Sequence, residues 1–480
     1  MSLSIIQNQR LKEKCQVFTP PDIVEKMLDL ANYKDDLFGK KVLENSCGNG
    51  EFLSRIIERY IESCKKQHLS SQLIKAGLER DIIAYEIDKD RILECIKKLN
   101  LISEKHGISK VKWNIQCEDF LKSQKTEVFD FVIGNPPYIA YPDLPSDVQK
   151  YVKDNFETCR KGKFDYSYAF IEKSYHWLSN DGVLVYIIPS NIFKNVFASE
   201  LRILIKSEIE VIVDFPTDSV FEKVLVSPAI IKIVKAKETK TLCYMVGEST
   251  RLLDKNLLGE KWAFNSDKML NGIRVGDCFK IASSVATLLN EAFVVRNGII
   301  EDEYYKINHF KIEMELLKKA ASPKNKKYKK FEEYIIFPYF YDENGKLQHY
   351  SEDEIYNKFP YAMKYLESYK DKLKKRDADK KALWFEYGRS QALQNVNQQM
   401  IMISSVISNC TQAYLLEKEE IPYSGLYIVP TGNISLEFLI SILNSESFKK
   451  YINSVGVCVS GTSKRVTPSD IENFVFEINI

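Results

Sequence analysis

Four consecutive residues, Asn135-Pro136-Pro137-Tyr138, carry the most specific chemistry in the chain. They follow an apolar run, Phe129 to Gly134, that reads as a strand, and two successive prolines must end it because neither offers the N–H that a sheet ladder needs. The second proline confines Pro136 to an extended conformation and so fixes where its carbonyl points. Together with the Asn135 amide oxygen, that carbonyl supplies two acceptors converging on one amine. An aromatic amine is a poor nucleophile because its lone pair is delocalised into the ring. Accepting both of its N–H hydrogens favours the pyramidal nitrogen of a transition state and the positive charge that develops there. Tyr138 offers a face for a planar base, worth roughly 1 to 3 kcal/mol of stacking. A base paired in a duplex reaches such a pocket only by flipping out, at about a few kcal/mol.

Three acidic residues stand where a cofactor would need them. Val42 and Leu43 lead into Glu44-Asn45-Ser46-Cys47-Gly48-Asn49-Gly50, a strand end and glycine turn before a helix start. Gly48 and Gly50 let the backbone approach a ligand closely. A dinucleotide turn would place a third glycine at Leu53, whereas Glu44 suits a cationic ligand carrying a sulfonium and an ammonium group. A second apolar run ends in Tyr85-Glu86-Ile87-Asp88, whose Glu86 can accept from both hydroxyls of a ribose. A third ends in Glu118-Asp119-Phe120, where Asp119 could take an adenine amine and Phe120 cover the ring. Each acid alone reads as a cap or turn former. Three in strand order, each at a carboxyl end, read as a site.

The elements that must hold these residues alternate between short β-rich runs and helical patterns from about residue 40 to 235, which predicts a doubly wound α/β sheet with its ligands at the strand carboxyl ends. The interval from Glu51 to Asp81 is longer than one compact connection needs, so it should hold a long helix or an extra one. Beyond about residue 240 the alternation fades into Lys-, Tyr- and Asn-rich sequence. We therefore expect a catalytic domain over 1–240 and a second domain over 241–480.

From Asn135-Pro136-Pro137-Tyr138 and the order of the motifs, the chain resembles the amino-methyltransferases that modify adenine at N6, and within them the gamma class typified by the TaqI DNA methyltransferase. The resemblance implies a Rossmann-like S-adenosylmethionine-dependent methyltransferase domain followed by a mixed α/β target-recognition domain. Val17-Phe18-Thr19-Pro20-Pro21 matches the class's N-terminal cofactor segment. By the resemblance, Thr19, Glu44 and Ser46 surround the methionine part of S-adenosylmethionine, Glu86 and Ile87 the ribose, and Asp119 and Phe120 the adenine. Asp165 to Phe170 and Gly182 to Phe193 resemble later segments of the catalytic domain, and Phe221 in Val220-Phe221-Glu222-Lys223 takes the place of a second aromatic against the flipped base. Gly298-Ile299-Ile300, Ile336 to Tyr339, Trp384 to Ser390 and Leu443-Asn444-Ser445 resemble a TaqI-type specificity domain. Relatives carry glycine and threonine where this chain has Glu301-Asp302, so base-reading residues do not transfer.

The resemblance implies a site-specific adenine DNA methyltransferase acting on double-stranded DNA as a monomer, the modification enzyme of a restriction-modification system. Its endonuclease would act at the same site without a stable complex. With 68 basic and 66 acidic residues, net charge argues nothing about nucleic acid, so the local cluster Lys324 to Lys330 is the expected phosphate contact, with Lys327, Lys330 and Arg389 as DNA-binding candidates. The ten cysteines form no C-x-x-C pair and only five histidines accompany them, so neither a metal site nor disulfides are expected. No apolar run approaches the roughly 18 residues of a membrane span, and the start lacks a signal peptide's apolar core, which predicts a cytoplasmic protein with no membrane contact. Enzymes that methylate RNA bases or a protein glutamine also use Asn-Pro-Pro-Tyr and remain alternatives. A fused nuclease fits poorly, because fewer than twenty residues precede the Thr19 segment.

Overall fold

The computed structural model describes residues 19–476, apart from 126, 216–226, 265–271, 329–331, 409, 432–433 and 461. Val17, Phe18, Phe221 and Lys330 therefore lie outside the described residues. The chain divides into two compact units, 1–264 and 265–480.

The first unit is built on a nine-stranded sheet. In chain order its elements are α1 (Pro21–Leu30), β1 (Val42–Glu44), α2 (Glu51–Lys66), α3 (Ser71–Asp81), β2 (Ile82–Tyr85), α4 (Lys89–Lys105), β3 (Asn114–Gln116), β4 (Phe129–Gly134), α5 (Ser146–Asn155), α6 (Ser167–His176), β5 (Leu178–Pro189), α7 (Ser199–Ile205), β6 (Ile209–Asp214), β7 (Pro228–Val234), β8 (Thr241–Val246) and β9 (Ser249–Asp254). The strands lie in the order β3-β2-β1-β4-β5-β7-β6-β8-β9, with β7 antiparallel between β5 and β6. Period-two side chains cover both faces of the sheet. Val42, Ile133 and Val185 pack with Met27, Ile57, Leu78 and Leu99 of α1 to α4, while Leu43, Val132 and Leu184 pack with Val152, Ile171 and Leu201 of α5 to α7.

The long interval after Glu51 holds two helices. Phe52, Ile56, Tyr60 and Cys64 recur at helical spacing along α2 and are buried, and Ser70 then caps α3 by accepting from Leu73 N. The division between the units falls at 264/265 rather than at 240. Gly247, at φ 55°, and Glu248 form a two-residue turn joining β8 to β9, and β8 pairs parallel to β6, so this hairpin extends the first sheet.

The second unit mixes short sheets and helices. One four-stranded sheet joins 279–283, 426–430, 400–403 and 413–416, and another joins 294–296, 333–336, 317–321 and 420–422. No described helix is long and apolar enough to cross a membrane.

Candidate active site

The strand order reverses at β1, which has β2 on one side and β4 on the other, and ligands of such sheets bind at the carboxyl ends beside that reversal. One cavity opens there. Thr19, Glu44, Ser46, Gly48, Glu86, Ile87, Asp119 and Phe120 line it, and so do all four residues from Asn135 to Tyr138. Gly50 does not line it. It caps α2 at φ 88°, and a Cβ there would meet Cys95 Sγ at 2.6 Å, so glycine is required by packing behind the turn.

The catalytic turn is held from two sides. Asn135 Nδ2 donates to Thr19 Oγ1 at 3.1 Å, and the Ser46 hydroxyl donates to the Asn135 backbone carbonyl at 2.9 Å. The first bond orients the amide, so that its oxygen faces away from Thr19. Tyr138 donates its hydroxyl to the Ile187 carbonyl at 2.5 Å, which fixes the plane of its ring. Burial, reinforced by the charge of Asp165, holds that phenol well above its ordinary pKa, so it stays a donor.

Glu44 is 2% exposed, and its Oε2 has no hydrogen-bond partner. Burial raises its pKa well above the carboxylate range, and the nearby Cys95, Glu86 and Glu51 raise it further against one backbone hydrogen bond from Leu53. A buried carboxyl with an open oxygen is a site for a cation. The fit of a ligand bearing ammonium and sulfonium groups rests on that oxygen.

Glu86 faces the cavity already engaged by backbone N–H groups. Its Oε1 accepts from Ile87 N at 2.8 Å and Asp88 N at 2.9 Å, and its Oε2 accepts from Gly48 N at 2.9 Å. A carboxylate has about four acceptor positions, so about one remains for a ribose hydroxyl rather than the two expected. Glu86 therefore ties the glycine turn to β2 as well as facing the cavity. Asp119 is also partly engaged, accepting from Leu121 N at 3.0 Å as the cap of a short turn over 120–122.

Sequence reasoning missed Asn45, Arg91 and Tyr166 at this cavity. Asn45 is 3% exposed and donates to Ser174 Oγ at 2.8 Å and to the Tyr186 hydroxyl, anchoring the turn to α6 and β5. Nothing in the order of residues announces a partner more than a hundred positions away. Tyr166 comes from the Asp165 to Phe170 segment, which crosses back against the catalytic turn. Tyr166 N donates to Ile139 O at 2.9 Å, and Tyr141 N to Phe164 O at 3.0 Å.

Asp165 in that segment is pushed up to about 6 by burial, against hydrogen bonds from Ser167 N and Oγ. Its unfolded pKa is about 3.9, so between those values the folded protein holds a proton that the unfolded chain has released, and stability falls as pH rises through the window. Asp165→Asn keeps the acceptor for Ser167 without the ionisation cost. Its thermal midpoint should exceed that of wild type by about 2 °C at pH 7.5, with the gap closing below about pH 4. A calorimetric series across pH that showed no gap at pH 7.5 would refute this.

In the second unit two of the candidate DNA residues, Lys327 and Arg389, are among the described residues. Lys327 is exposed on a short helix over 323–328, with its ammonium 5.5 Å from the Tyr328 ring centroid. Arg389 pairs with Asp377 at 3.0 Å and Asp379 at 3.5 Å. The Ile336 to Tyr339 and Trp384 to Ser390 segments meet each other. Tyr387 N donates to the Tyr339 hydroxyl and the Tyr387 hydroxyl to Ile336 O, both at 2.8 Å, so Tyr339 and Tyr387 pack in the core of this unit.

Residues 37–221 match the Eco57I restriction-modification methylase family. The chain is 31% identical over 243 residues to the Type II methyltransferase M.BstVI of Geobacillus stearothermophilus, covering 46% of this chain and 42% of that one. To the Type II methyltransferase M.HincII of Haemophilus influenzae it is 25% identical over 491 residues, covering 96% and 88%. It therefore spans less than half of M.BstVI and most of M.HincII. The Type IIL restriction-modification enzyme MmeI, solved in complex with DNA, is similar in structure with a TM-score of 0.55 at 12% identity, covering 94% of this chain and 64% of that one. The likeness to MmeI is one of fold, a Rossmann-like α/β unit followed by a further mixed α/β unit. The segment 37–221 that matches the Eco57I restriction-modification methylase family supplies every lining residue of the cavity except Thr19.

Proposed function

We infer that this protein transfers methyl from S-adenosylmethionine to N6 of an adenine flipped out of duplex DNA, at a specific sequence, as the modification enzyme of a restriction-modification system. The observation that carries this reading is the position of Asn135 to Tyr138 in the same cavity as Glu44, Glu86 and Asp119. An acceptor pair for an amine thus adjoins acceptors suited to a cationic nucleoside. S-adenosylmethionine supplies an electrophilic methyl on its sulfonium sulfur. Glu44 would take its ammonium, Glu86 one ribose hydroxyl and Asp119 the adenine amine, under Phe120.

At the acceptor side, Thr19 holds the Asn135 amide so that Oδ1 can receive one hydrogen of the target amine, and the Pro136 carbonyl receives the other. Both bonds strengthen as the nitrogen pyramidalises and gains charge, which is why they lower the barrier more than they tighten ground-state binding. Tyr138, pinned through its hydroxyl, presents its ring to the extruded base, and Phe221 would close the other side. The unit 265–480 would read the sequence, with Lys327 and Lys330 on phosphates and Arg389, held by Asp377 and Asp379, bracing a loop of that unit. DNA rather than RNA or protein is favoured because M.HincII, named a Type II methyltransferase, aligns over 96% of this chain, recognition unit included.

The test is transfer of labelled methyl from S-adenosylmethionine to unmethylated genomic duplex DNA, with RNA and a protein extract as parallel acceptors, followed by nucleoside analysis. Label recovered from DNA as N6-methyladenine is the expected result. Label confined to RNA or to a protein glutamine would overturn the substrate, and a different methylated base would overturn the chemistry at Asn135.

A further inference from the structure

Lys173 lies outside the proposed acceptor and cofactor groups, yet its ammonium is fully engaged beside them. On α6, its Nζ donates to the backbone carbonyls of Phe120 at 2.7 Å, Leu121 at 3.0 Å and Ser123 at 2.7 Å. An ammonium has three donors, so all of them go to one short turn. The same Nζ stands 5.1 Å from the Phe120 ring centroid and 4.9 Å from that of Trp177. A half-buried lysine committed in this way gives up hydration for contacts to a segment only four residues long. The turn's own backbone bonds run from Lys122 N and Ser123 N to the Asp119 carbonyl and from Ser123 N to the Phe120 carbonyl, and Lys173 ties the Phe120, Leu121 and Ser123 carbonyls together at a single point on α6. Asp119 starts the turn and Phe120 opens it, and both line the cavity, whereas the carbonyls that Lys173 holds belong to the same turn's backbone.

We propose that Lys173 is a positioning residue for the adenine end of the cofactor cavity, acting through the Asp119–Phe120 turn to set the affinity for the nucleoside part of the cofactor. The proposal rests on the reading of this cavity as the S-adenosylmethionine site. Tyr151 makes a lesser contribution, donating its hydroxyl to the Leu121 carbonyl at 3.0 Å.

The experiment compares wild type with Lys173→Met, which keeps the length of the side chain and removes its donors. Dissociation constants are measured for S-adenosylmethionine and for 5′-methylthioadenosine, which lacks the amino-acid part, together with kcat at saturating cofactor. We expect both ligands to weaken by the same factor, about tenfold or more, with kcat changed less than about threefold. A purely structural role would lower the folded fraction and the thermal midpoint but leave the dissociation constant of the folded protein in place. A second measurement needs no variant. Burial pushes the Lys173 pKa down to about 8, opposed by the charges of Asp119 and Glu118. Tyr85 and Tyr151, which touch the same turn, have pKa values raised by burial. Losing the proton leaves two donors for three carbonyls, so 5′-methylthioadenosine should bind more weakly above about pH 8. Wild type that binds neither ligand would defeat the reading of the cavity itself. Wild type that binds both, with Lys173→Met within twofold and a flat profile across pH 8, would defeat the role of Lys173.

Discussion

Asn135→Ala is expected to bind S-adenosylmethionine within about threefold of wild type while losing about 10²- to 10³-fold in turnover, the cost of removing one hydrogen-bonding group that acts on charge developing in a transition state. The separation follows from geometry. Asn135 touches the proposed cofactor residue Thr19 through its Nδ2, and its backbone carbonyl, which Ser46 holds, survives the substitution. What disappears is the amide, its oxygen at the acceptor position together with the Nδ2 bond to Thr19. Asn135→Asp keeps an acceptor at the same place, so it should retain more turnover than the alanine variant. Cofactor titration and single-turnover methyl transfer on the same preparations check both statements. Alanine-variant turnover within tenfold of wild type would remove Asn135 from the chemistry, and a parallel collapse of cofactor affinity would make it a cofactor residue instead.

The residues that proved readable are those whose meaning is local. Two prolines end β4 whatever surrounds them, and Glu44, Glu86 and Asp119 each follow an apolar run whose length marks a strand. Their arrival at one cavity then follows from the parallel order of β3, β2, β1 and β4. What stayed hidden is nonlocal. Glu86 looks like a ribose acceptor from its place in the chain, and only the fold brings Gly48 N against it. Lys173 is about fifty positions from the turn it holds. The β8–β9 hairpin illustrates a different limit, since alternation can identify a hairpin but not the sheet that it joins. Arg389 carries a nonlocal feature too, since the pairing of its guanidinium with Asp377 and Asp379 is set by the fold.

Glu44→Gln should move stability and function in opposite directions. In the cofactor-free protein the Glu44 carboxyl is buried with an unpartnered oxygen, and burial raises its pKa well above the ordinary range. A raised folded-state pKa means that the folded protein holds a proton the unfolded chain gives up above about pH 4.3, so this group costs stability progressively as pH rises beyond that value. Glutamine has nothing to ionise. The variant without cofactor should therefore melt about 2 to 4 °C above wild type at neutral pH. Binding reverses the sign. A cationic ammonium placed against Glu44 supplies the charge that burial denies it, and truncating one partner of such a pair costs about 2 to 5 kcal/mol, so the affinity for S-adenosylmethionine should fall roughly 100-fold. A ligand that binds only the folded state stabilises it by RT ln(1 + [L]/Kd), so the melting gain on adding cofactor should be large for wild type and small for Glu44→Gln. Because the cation favours the ionised carboxylate, wild type should also release a proton on binding wherever free Glu44 is protonated, and its affinity should rise with pH. Melting curves with and without cofactor, and binding enthalpies in buffers of different ionisation heats, read these effects independently. A variant that melts lower than wild type and binds the cofactor equally well would show that Glu44 is a structural acid and that the cation site lies elsewhere in the cavity.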